Sequence, residues 1–388
     1  MVEQPLAPED PRPPWLWPRA AYLHVPFCAY RCDYCDFAIA VGRDALADRY
    51  ADAVTAELAT LGEPQPVRTL FLGGGTPSQL TARQLDRLLG SVLAWLPPCP
   101  GHEFTVEANP DSLDTAKVAV LADRRVTRIS LGAQSFRPEL LRVLGRQHRP
   151  DEIPRAVERA RSRGLEVSLD LIFGVPGQTL DEWRGDLRDG LALEPDHVST
   201  YGLTYEKGTP LWKRRRAGEI ATLDEDTERA QYLAAIDTLA EAGLEHYEIS
   251  NFARPCRRSR HNEVYWANEA YFGFGMGAAR YMLGRRELNT RELEGYIRKA
   301  LAGEPTAFQG EELAPEARAR ETLALGLRRR DGVGRDRFRE QTGYDLDALA
   351  GEALARYADL GLLTDESHRV RLTRDGLCVA DAIITGLL

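Results

Sequence analysis

The chain has 388 residues, 43% of them apolar and 28% charged, enough for one large α/β domain and a smaller one. Its net charge of -9 weighs against general nucleic-acid or acidic-membrane binding. No apolar run reaches the roughly 18 residues of a membrane span, and no basic-then-apolar signal opens the chain; six cysteines, half of them in one short run, fit a reducing cytoplasm rather than a disulfide framework.

Residues 1–19 form a proline-rich leader with two Trp, expected as a strap or a disordered lead-in. From Ala20 to about Leu203, short β-like runs alternate with helix-like runs. Strands are predicted at Ala20 to Val25, Arg68 to Leu72, Glu103 to Ala108, Thr127 to Leu131, Leu165 to Ile172 and His197 to Tyr201. Helices are predicted at Leu46 to Leu61, Thr81 to Leu96, Ser112 to Ala122, Pro138 to Leu144, Asp151 to Arg163 and Thr179 to Leu193. Their apolar residues recur at three and four, as in Leu85, Leu88, Leu89, Val92 and Leu93. Six such units predict an α/β fold with a parallel sheet curled into a partial (βα)6, TIM-like barrel over residues 20–203. A doubly wound sheet is the alternative, but no G-x-G-x-x-G opens a helix after the first strand.

Residues 204–302 read as a barrel extension. It holds a charged stretch (Lys207 to Glu219), a helix (Glu225 to Ala242), a strand running into a loop (Tyr247 to Ala253), and an aromatic, glycine-rich loop from His261 to Tyr281. Residues 303–388 predict a winged-helix-like domain: helices at Pro315 to Leu327, Gly334 to Thr342 and Leu346 to Leu360, a two-stranded wing, and a last helix from Arg374 to Thr385. With 12 basic and 13 acidic residues from Glu316 on, it lacks the basic face of a DNA reader and is expected to pack or cover.

Cys28, Cys32 and Cys35 follow the first strand with C-x3-C-x2-C spacing. Three thiolates so spaced can hold three irons of a [4Fe-4S] cube and leave the fourth open to a small ligand such as S-adenosylmethionine. The alternatives are structural zinc, with His24 as fourth ligand, and unrelated buried or redox cysteines. Gly73-Gly74-Gly75-Thr76-Pro77 leaves the second strand, where free backbone N–H groups of Gly74 and Gly75 and the Thr76 hydroxyl can meet an amino-acid carboxylate; a plain βα turn is the alternative. Glu107 and Gln134 end the third and fourth strands, Arg146 sits in the L-G-R-Q-H run, and Asp170 interrupts an apolar strand, where an acid is costly unless paired. Tyr22 is a candidate for the shell around the cluster, and Tyr22 and His24 are the candidate catalytic side chains. Phe37, with Ile172 and the Phe173-to-Gly177 turn, can line an adenine slot. In His261-Asn262-Glu263-Val264-Tyr265-Trp266, His261 is a candidate haem ligand with Tyr265 and Trp266 as flat neighbours, or else the segment tucks its aromatics into the barrel wall. Cys256 is the competing thiolate ligand.

Taken together, the motifs C-x3-C-x2-C-D-F, GGGTPS, VEANP, RISLGAQSF, LGRQH, SLDLIFGVPGQT, YEISNFA and HNEVYW, in that order, resemble the radical S-adenosylmethionine family of oxygen-independent coproporphyrinogen III oxidases, in particular its haem-chaperone branch. The resemblance covers nearly everything after the leader. It implies that Cys28, Cys32 and Cys35 are the cluster ligands, and that Tyr22, Phe37, Gly74, Gly75, Thr76, Glu107, Gln134, Arg146 and Asp170 surround S-adenosylmethionine. It also implies that His261, Tyr265 and Trp266 belong to a haem signature. The oxidases carry a fourth cysteine where this chain has Phe37, and a longer leader, so the chaperone branch is expected. The branch's G-P-G-A-H-S appears here as Gly275-Met276-Gly277-Ala278-Ala279-Arg280, without its proline and histidine. The implied function is delivery of haem to acceptor proteins such as membrane-associated respiratory haemoproteins, with an electron donor for the cluster. The alternatives are radical decarboxylation of coproporphyrinogen III, another radical enzyme acting on a tetrapyrrole, and a scaffold that only keeps its cluster. Without a C-x-x-C-H motif, no covalent c-type attachment is expected, and oligomeric state is left open.

Overall fold

The computed structural model describes residues 11–388, so the first ten residues of the leader lie outside the described residues. The barrel half runs β1 (Ala20–Val25), β2 (Phe27–Cys28), β3 (Ala40–Val41), α1 (Ala47–Ala59), β4 (Val67–Gly74), α2 (Ala82–Trp95), β5 (Pro98–Ala108), α3 (Thr115–Asp123) and β6 (Arg128–Gln134). It continues through α4 (Pro138–Val143), α5 (Glu152–Arg161), β7 (Glu166–Phe173), α6 (Leu180–Ala192) and β8 (His197–Gly202). The extension is α7 (Pro210–Arg216), α8 (Glu225–Glu241), the hairpin β9 (Glu245–Glu248) and β10 (Asn251–Ala253), α9 (Arg260–Trp266) and β11 (Phe272–Phe274). Next come β12 (Ala279–Met282), β13 (Arg285–Asn289), α10 (Leu293–Leu301) and β14 (Ala307–Glu312). The C-terminal part is α11 (Pro315–Gly326), β15 (Val333–Gly334), α12 (Arg335–Thr342), α13 (Leu346–Asp359), β16 (Leu363–Glu366), β17 (Arg369–Leu372), α14 (Arg374–Cys378) and α15 (Ala380–Thr385).

All six predicted barrel strands form, and they lie parallel in the order β1-β4-β5-β6-β7-β8. The sheet is wider than the sequence suggests: β11 adds in parallel beside β1, and the β9–β10 hairpin adds in antiparallel beside β8, giving nine strands. Alternation explains why the strands curl around a polar interior. On β1, Ala21, Leu23 and Val25 join the apolar core with Leu70 and Leu72 of β4 and Val106 of β5, whereas Tyr22 and His24 take the opposite face. The register pairs Tyr22 with Phe71, Phe71 with Thr105, Glu107 with Ser130, and Asp170 with Ser199, so polar side chains stack in layers inside. Outside, amphipathic helices close the core, and two of them start with reciprocal capping boxes, Thr81 with Gln84 and Thr179 with Glu182.

Beyond Gly202 the sequence reading needs correction. The segment predicted as a loop from His261 to Tyr281 contains α9 and β11, and β12, β13 and β14 form a separate antiparallel sheet that the sequence analysis did not anticipate. These strands are short and carry charged residues on both faces (Arg285-Arg286-Glu287), so they show no period-two apolar signal. Gly275 allows the tight turn there: it has φ +96, and a Cβ would come within 2.5 Å of the Tyr50 hydroxyl. Its N–H donates to the buried Glu57, which also accepts from Asn289, Tyr296 and Thr306. The C-terminal part has a winged-helix arrangement, with β15 completing a three-stranded sheet in the order β15-β17-β16. The described end of the leader is a strap: Trp17 packs edge-on against Phe272, and the Arg337 guanidinium of α12 lies over Trp15.

Candidate functional site

The three cysteines sit where the strands end, the edge at which parallel barrels gather ligands. Cys28 closes β2 and is buried; Cys32 and Cys35 are half-buried in the following loop. Protein contacts alone fix this loop. The Asp33 N–H donates to Leu144 O (3.0 Å), the Asp33 carbonyl accepts from the Leu211 N–H (2.9 Å), and the Tyr30 hydroxyl accepts from the Gln147 N–H (3.1 Å). Gly145 makes room for it, since a Cβ there would meet Asp33 N at 2.8 Å. Burial, together with the neighbouring Cys35 and Cys32 and against a hydrogen bond from Thr76, pushes the Cys28 thiol up to about 11. A thiolate in this loop therefore needs cationic compensation, and the guanidinium of Arg146 lies 3.6 Å from Cys32 Sγ.

Zinc with His24 as a ligand is excluded by geometry. His24 Nδ1 is bonded to the Tyr22 hydroxyl (3.0 Å) and Nε2 to Ala38 O (2.7 Å), so neither nitrogen is available. Among the described residues, no three His, Cys, Asp or Glu side chains are grouped so as to hold a metal ion. Burial, and then the neighbouring cysteines, raise the Cys28 and Cys35 thiols. His24 is also corrected as a catalytic candidate: burial holds it neutral, with its pKa near 4, and its ring packs behind Gly74. Neither His24 nor Tyr22 is among the residues lining the cavity described next.

A cavity of about 1320 Å³ opens from the cysteine loop across the barrel mouth to the C-terminal helices. Phe37 (57% exposed), Gly74, Gly75, Thr76, Glu107, Gln134, Arg146 and Asp170 all line it, so the structure brings these expected residues together with Cys28, Cys32 and Cys35. The glycine turn differs from expectation in one respect. Its N–H groups are already used: Gly74 donates to Glu107 Oε2 (3.0 Å), Gly75 to Val25 O (2.8 Å) and Thr76 to Phe27 O (2.8 Å). The glycines are required instead by close packing. A Cβ on Gly73 would sit 2.7 Å from the Glu107 carboxyl carbon, one on Gly74 (φ +106) 2.3 Å from the His24 ring, and one on Gly75 2.6 Å from the Pro26 carbonyl.

Among the described residues, neither of the two acids that face the cavity forms an ion pair, although the charge of Arg146 acts on Asp170. Burial and the charge of Asp170 push Glu107 up to about 8, with the Gly74 N–H working the other way. Burial raises Asp170 to about 6, opposed by hydrogen bonds from Ser199 and Ser130, the latter at 3.1 Å. Arg146 is held on the other side by Asn109 Oδ1 (2.8 Å) and Gly132 O (2.7 Å), and its Nε meets His148 Nδ1 at 3.3 Å. Gln134 occupies the left-handed region (φ 61) at an irregularity in the β6–β7 pairing. The sequence analysis missed Asn109 and Ser130, which look like turn and strand filler until the register sets them beside Arg146 and Asp170. It also missed the cavity residues of the C-terminal part, Leu377 to Val379, for which no local signal exists.

The structure tucks His261 into the barrel wall, the alternative that the sequence left open. His261 has no exposed surface; Nδ1 is bonded to Thr69 Oγ1 (2.9 Å) and Nε2 to the Tyr265 hydroxyl (2.8 Å), and the ring stacks on Phe71. The backbone N–H groups of Arg260 and His261 donate to Glu103, which pairs with Arg128. Thus α9 plugs the end where the strands begin, opposite the cysteines. Tyr265 turns inward with His261, while Trp266 lies under the Arg328 guanidinium, 4.4 Å from its ring centroid. Cys256 is exposed in its loop and does not line the cavity.

Comparison with known proteins follows the two main parts of the fold. Residues 22–190 match the radical SAM superfamily model and residues 313–379 the HemN C-terminal domain model. The chain is 37% identical to "Heme chaperone HemW" of Lactococcus lactis subsp. lactis (strain IL1403), over 92% of this chain and 94% of that protein. It is 36% identical to "Heme chaperone HemW" of Bacillus subtilis (strain 168), over 95% and 99%. It is 32% identical to the mitochondrial radical S-adenosyl methionine domain-containing protein 1 of Bos taurus, over 95% and 87%. In fold, the chain is similar to coproporphyrinogen III oxidase (HemN) from Escherichia coli, with a TM-score of 0.84 at 22% identity, covering 97% of this chain and 91% of that one.

Proposed function

We propose that this chain, which belongs to the heme chaperone HemW family of the radical SAM superfamily, binds a [4Fe-4S] cluster, S-adenosylmethionine and haem, and passes haem to acceptor proteins. The observation that carries the reading is one cavity that joins three disulfide-free thiols to a facing acid pair and a buried arginine. Cys28, Cys32 and Cys35 would hold the cluster, and their chemistry suits it: three free thiols, soft ligands carried by one short loop. When bound, the cluster supplies an open iron and an electron to S-adenosylmethionine. The chain's own residues bind and orient. Glu107 and Asp170 supply negative charge to a ligand carrying an ammonium and a sulfonium, Arg146 accepts a carboxylate, and Phe37, Ile172 and Phe173 offer apolar surface to a base. In the absence of an available imidazole, no proton-transfer role is assigned to His24.

Radical decarboxylation of coproporphyrinogen III is the second reading, favoured by the barrel's fold likeness to the Escherichia coli oxidase. Phe37 at the fourth-cysteine position favours the chaperone. Anaerobic reconstitution should give about four Fe and four sulfides per chain, lost in Cys32→Ala. Reconstituted protein should then bind haemin and pass it to an apo-haemoprotein, and leave coproporphyrinogen III unchanged in the presence of dithionite and S-adenosylmethionine. Multiple turnovers to protoporphyrinogen IX would make the oxidase reading primary; stoichiometric zinc with no restorable cluster would overturn both.

A further inference from the structure

None of the charged stretch after β8, Lys207 to Glu219, lines the cavity. From Lys207 to Ala217 it carries five basic residues and no acid, in a chain whose net charge is -9. It folds as α7, with the Thr209 side chain accepting from the Trp212 N–H at its start and Lys213, Arg214, Arg215 and Arg216 filling its last turn. Some positive charge there favours the carbonyl end of a helix, but four consecutive cations repel one another and go beyond that need. Lys207, Lys213, Arg215 and Arg216 are exposed. Among the described residues, the ion pairs of α7 are those of Arg214 with Asp33 (3.5 Å) and Glu219 (4.0 Å). Arg215 rests instead over the Tyr205 ring (4.6 Å) and Arg216 over the Trp212 ring (5.0 Å), which holds both in place without cancelling their charge.

This helix is fastened to the cysteine loop. The Asp33 carbonyl accepts from the Leu211 N–H (2.9 Å) and the Asp33 carboxylate meets Arg214, so α7 holds the residue that follows Cys32. On the loop itself the exposed Arg31 donates to the Cys35 carbonyl (3.0 Å). Arg142 of α4 is exposed two residues before Leu144, whose carbonyl accepts from the Asp33 N–H (3.0 Å). Neither Arg31 nor Arg142 lines the cavity. These cations therefore dress the outer surface of the cysteine loop, while the cavity occupies its inner side. Exposed acids flank them along the chain, Asp36, Glu139 and Glu206, and bound the basic face.

We propose that α7, with Arg31 and Arg142, is the docking surface for a small acidic one-electron carrier protein that reduces the cluster. The proposal rests on the cluster-binding reading above, under which an electron must enter from outside the chain. Charge complementarity selects the partner. With a net charge of -9 the chain repels an acidic protein in general and attracts it at this face, which orients the encounter. Redox encounters bury little area and are short-lived, so a seven-residue helix and two neighbouring arginines give surface enough. A carrier seated there lies against the loop that holds Cys32 and Cys35 and leaves the cavity open to its own ligands.

The test mixes the anaerobically reconstituted full chain with excess reduced flavodoxin, a small acidic FMN protein, and follows the flavin semiquinone by stopped-flow absorbance. In that step the anionic flavin hydroquinone gives up one electron and becomes the neutral semiquinone, the cluster takes the electron, and no proton moves. The rate should fall at least tenfold between about 20 mM and about 500 mM salt. It should also fall at least tenfold in the double variant Arg215→Glu, Arg216→Glu at low salt. Reduction by photogenerated 5-deazariboflavin radical, a small neutral donor that needs no docking, should be unchanged in that variant, as should iron content. Arg184→Glu with Arg188→Glu makes the same charge change on the outer helix α6 and should leave the rate within about twofold. An equal loss there would show that only net charge counts and would overturn the surface. A wild-type rate in the α7 variant, or a wild-type chain indifferent to salt, would overturn it as well and leave the cluster reading standing. Should the α7 variant lose its cluster, the salt dependence of the wild type decides alone. A wild-type chain with no restorable cluster would overturn the cluster reading itself, and the surface with it.

Discussion

Glu107 gives the sharpest single perturbation. Its carboxyl is pushed up to about 8 from an ordinary 4.5, first by burial and then by Asp170. Between those two pH values the folded state keeps a proton that the unfolded chain has released, so stability falls as pH rises from 4.5 to 8 and is level above that. At about 1.4 kcal/mol per pH unit the full cost is about 5 kcal/mol, and solvent in the open cavity reduces it. Glu107→Gln removes the charge and keeps an oxygen to accept from the Gly74 N–H. In the cluster-free protein the variant should match wild type near pH 5 and exceed it by about 1–3 kcal/mol at pH 9. Urea denaturation at the two pH values measures this. A variant less stable than wild type at pH 9, or a difference that does not change with pH, would refute the claim that an uncompensated carboxylate is stored at this position.

The same acid pair links ligand binding to protons. Because a cationic ligand favours the ionised forms, S-adenosylmethionine binding near pH 7 should release close to one proton, read from calorimetry in buffers of different ionisation enthalpy. Asp170→Ala should weaken that binding at least roughly tenfold with iron content unchanged. Gly74→Ala places a Cβ against the His24 ring at a positive φ, and should cost the chain its cluster loop or its fold, seen as loss of reconstitutable iron. His261→Ala leaves Thr69 and Tyr265 without their partner in a sealed site, and should cost about 3 kcal/mol in denaturant unfolding, with Val379→Glu near zero as the contrast.

The barrel was legible because its strands and helices each carry one period. Leu85, Leu88, Leu89 and Val92 mark a helix face, Glu107 and Gln134 sit where parallel strands stop, and Asp170 lies within β7; all three of these polar side chains line the cavity. The glycine turn was legible as a place and misread as a mechanism. Spacing shows that three glycines occur together, but only the packed structure shows that Glu107, His24 and Pro26 fill the space their side chains would take. The extension was largely illegible: β12 to β14 are short and charged, and β11 reaches the sheet from far along the chain.

The placement of HNEVYW has a physical reason that local sequence cannot contain. A histidine, a tyrosine and a tryptophan within six residues look like one surface, but on a seven-residue helix they separate. His261 and Tyr265, four apart, share the face that enters the barrel floor and satisfy each other, with Thr69 and Glu103 completing the plug from β4 and β5. Trp266 lies on a different face and meets Arg328, which belongs to the C-terminal part. One short helix thereby closes one end of the barrel and sets an arginine in the wall of the cavity at its other side.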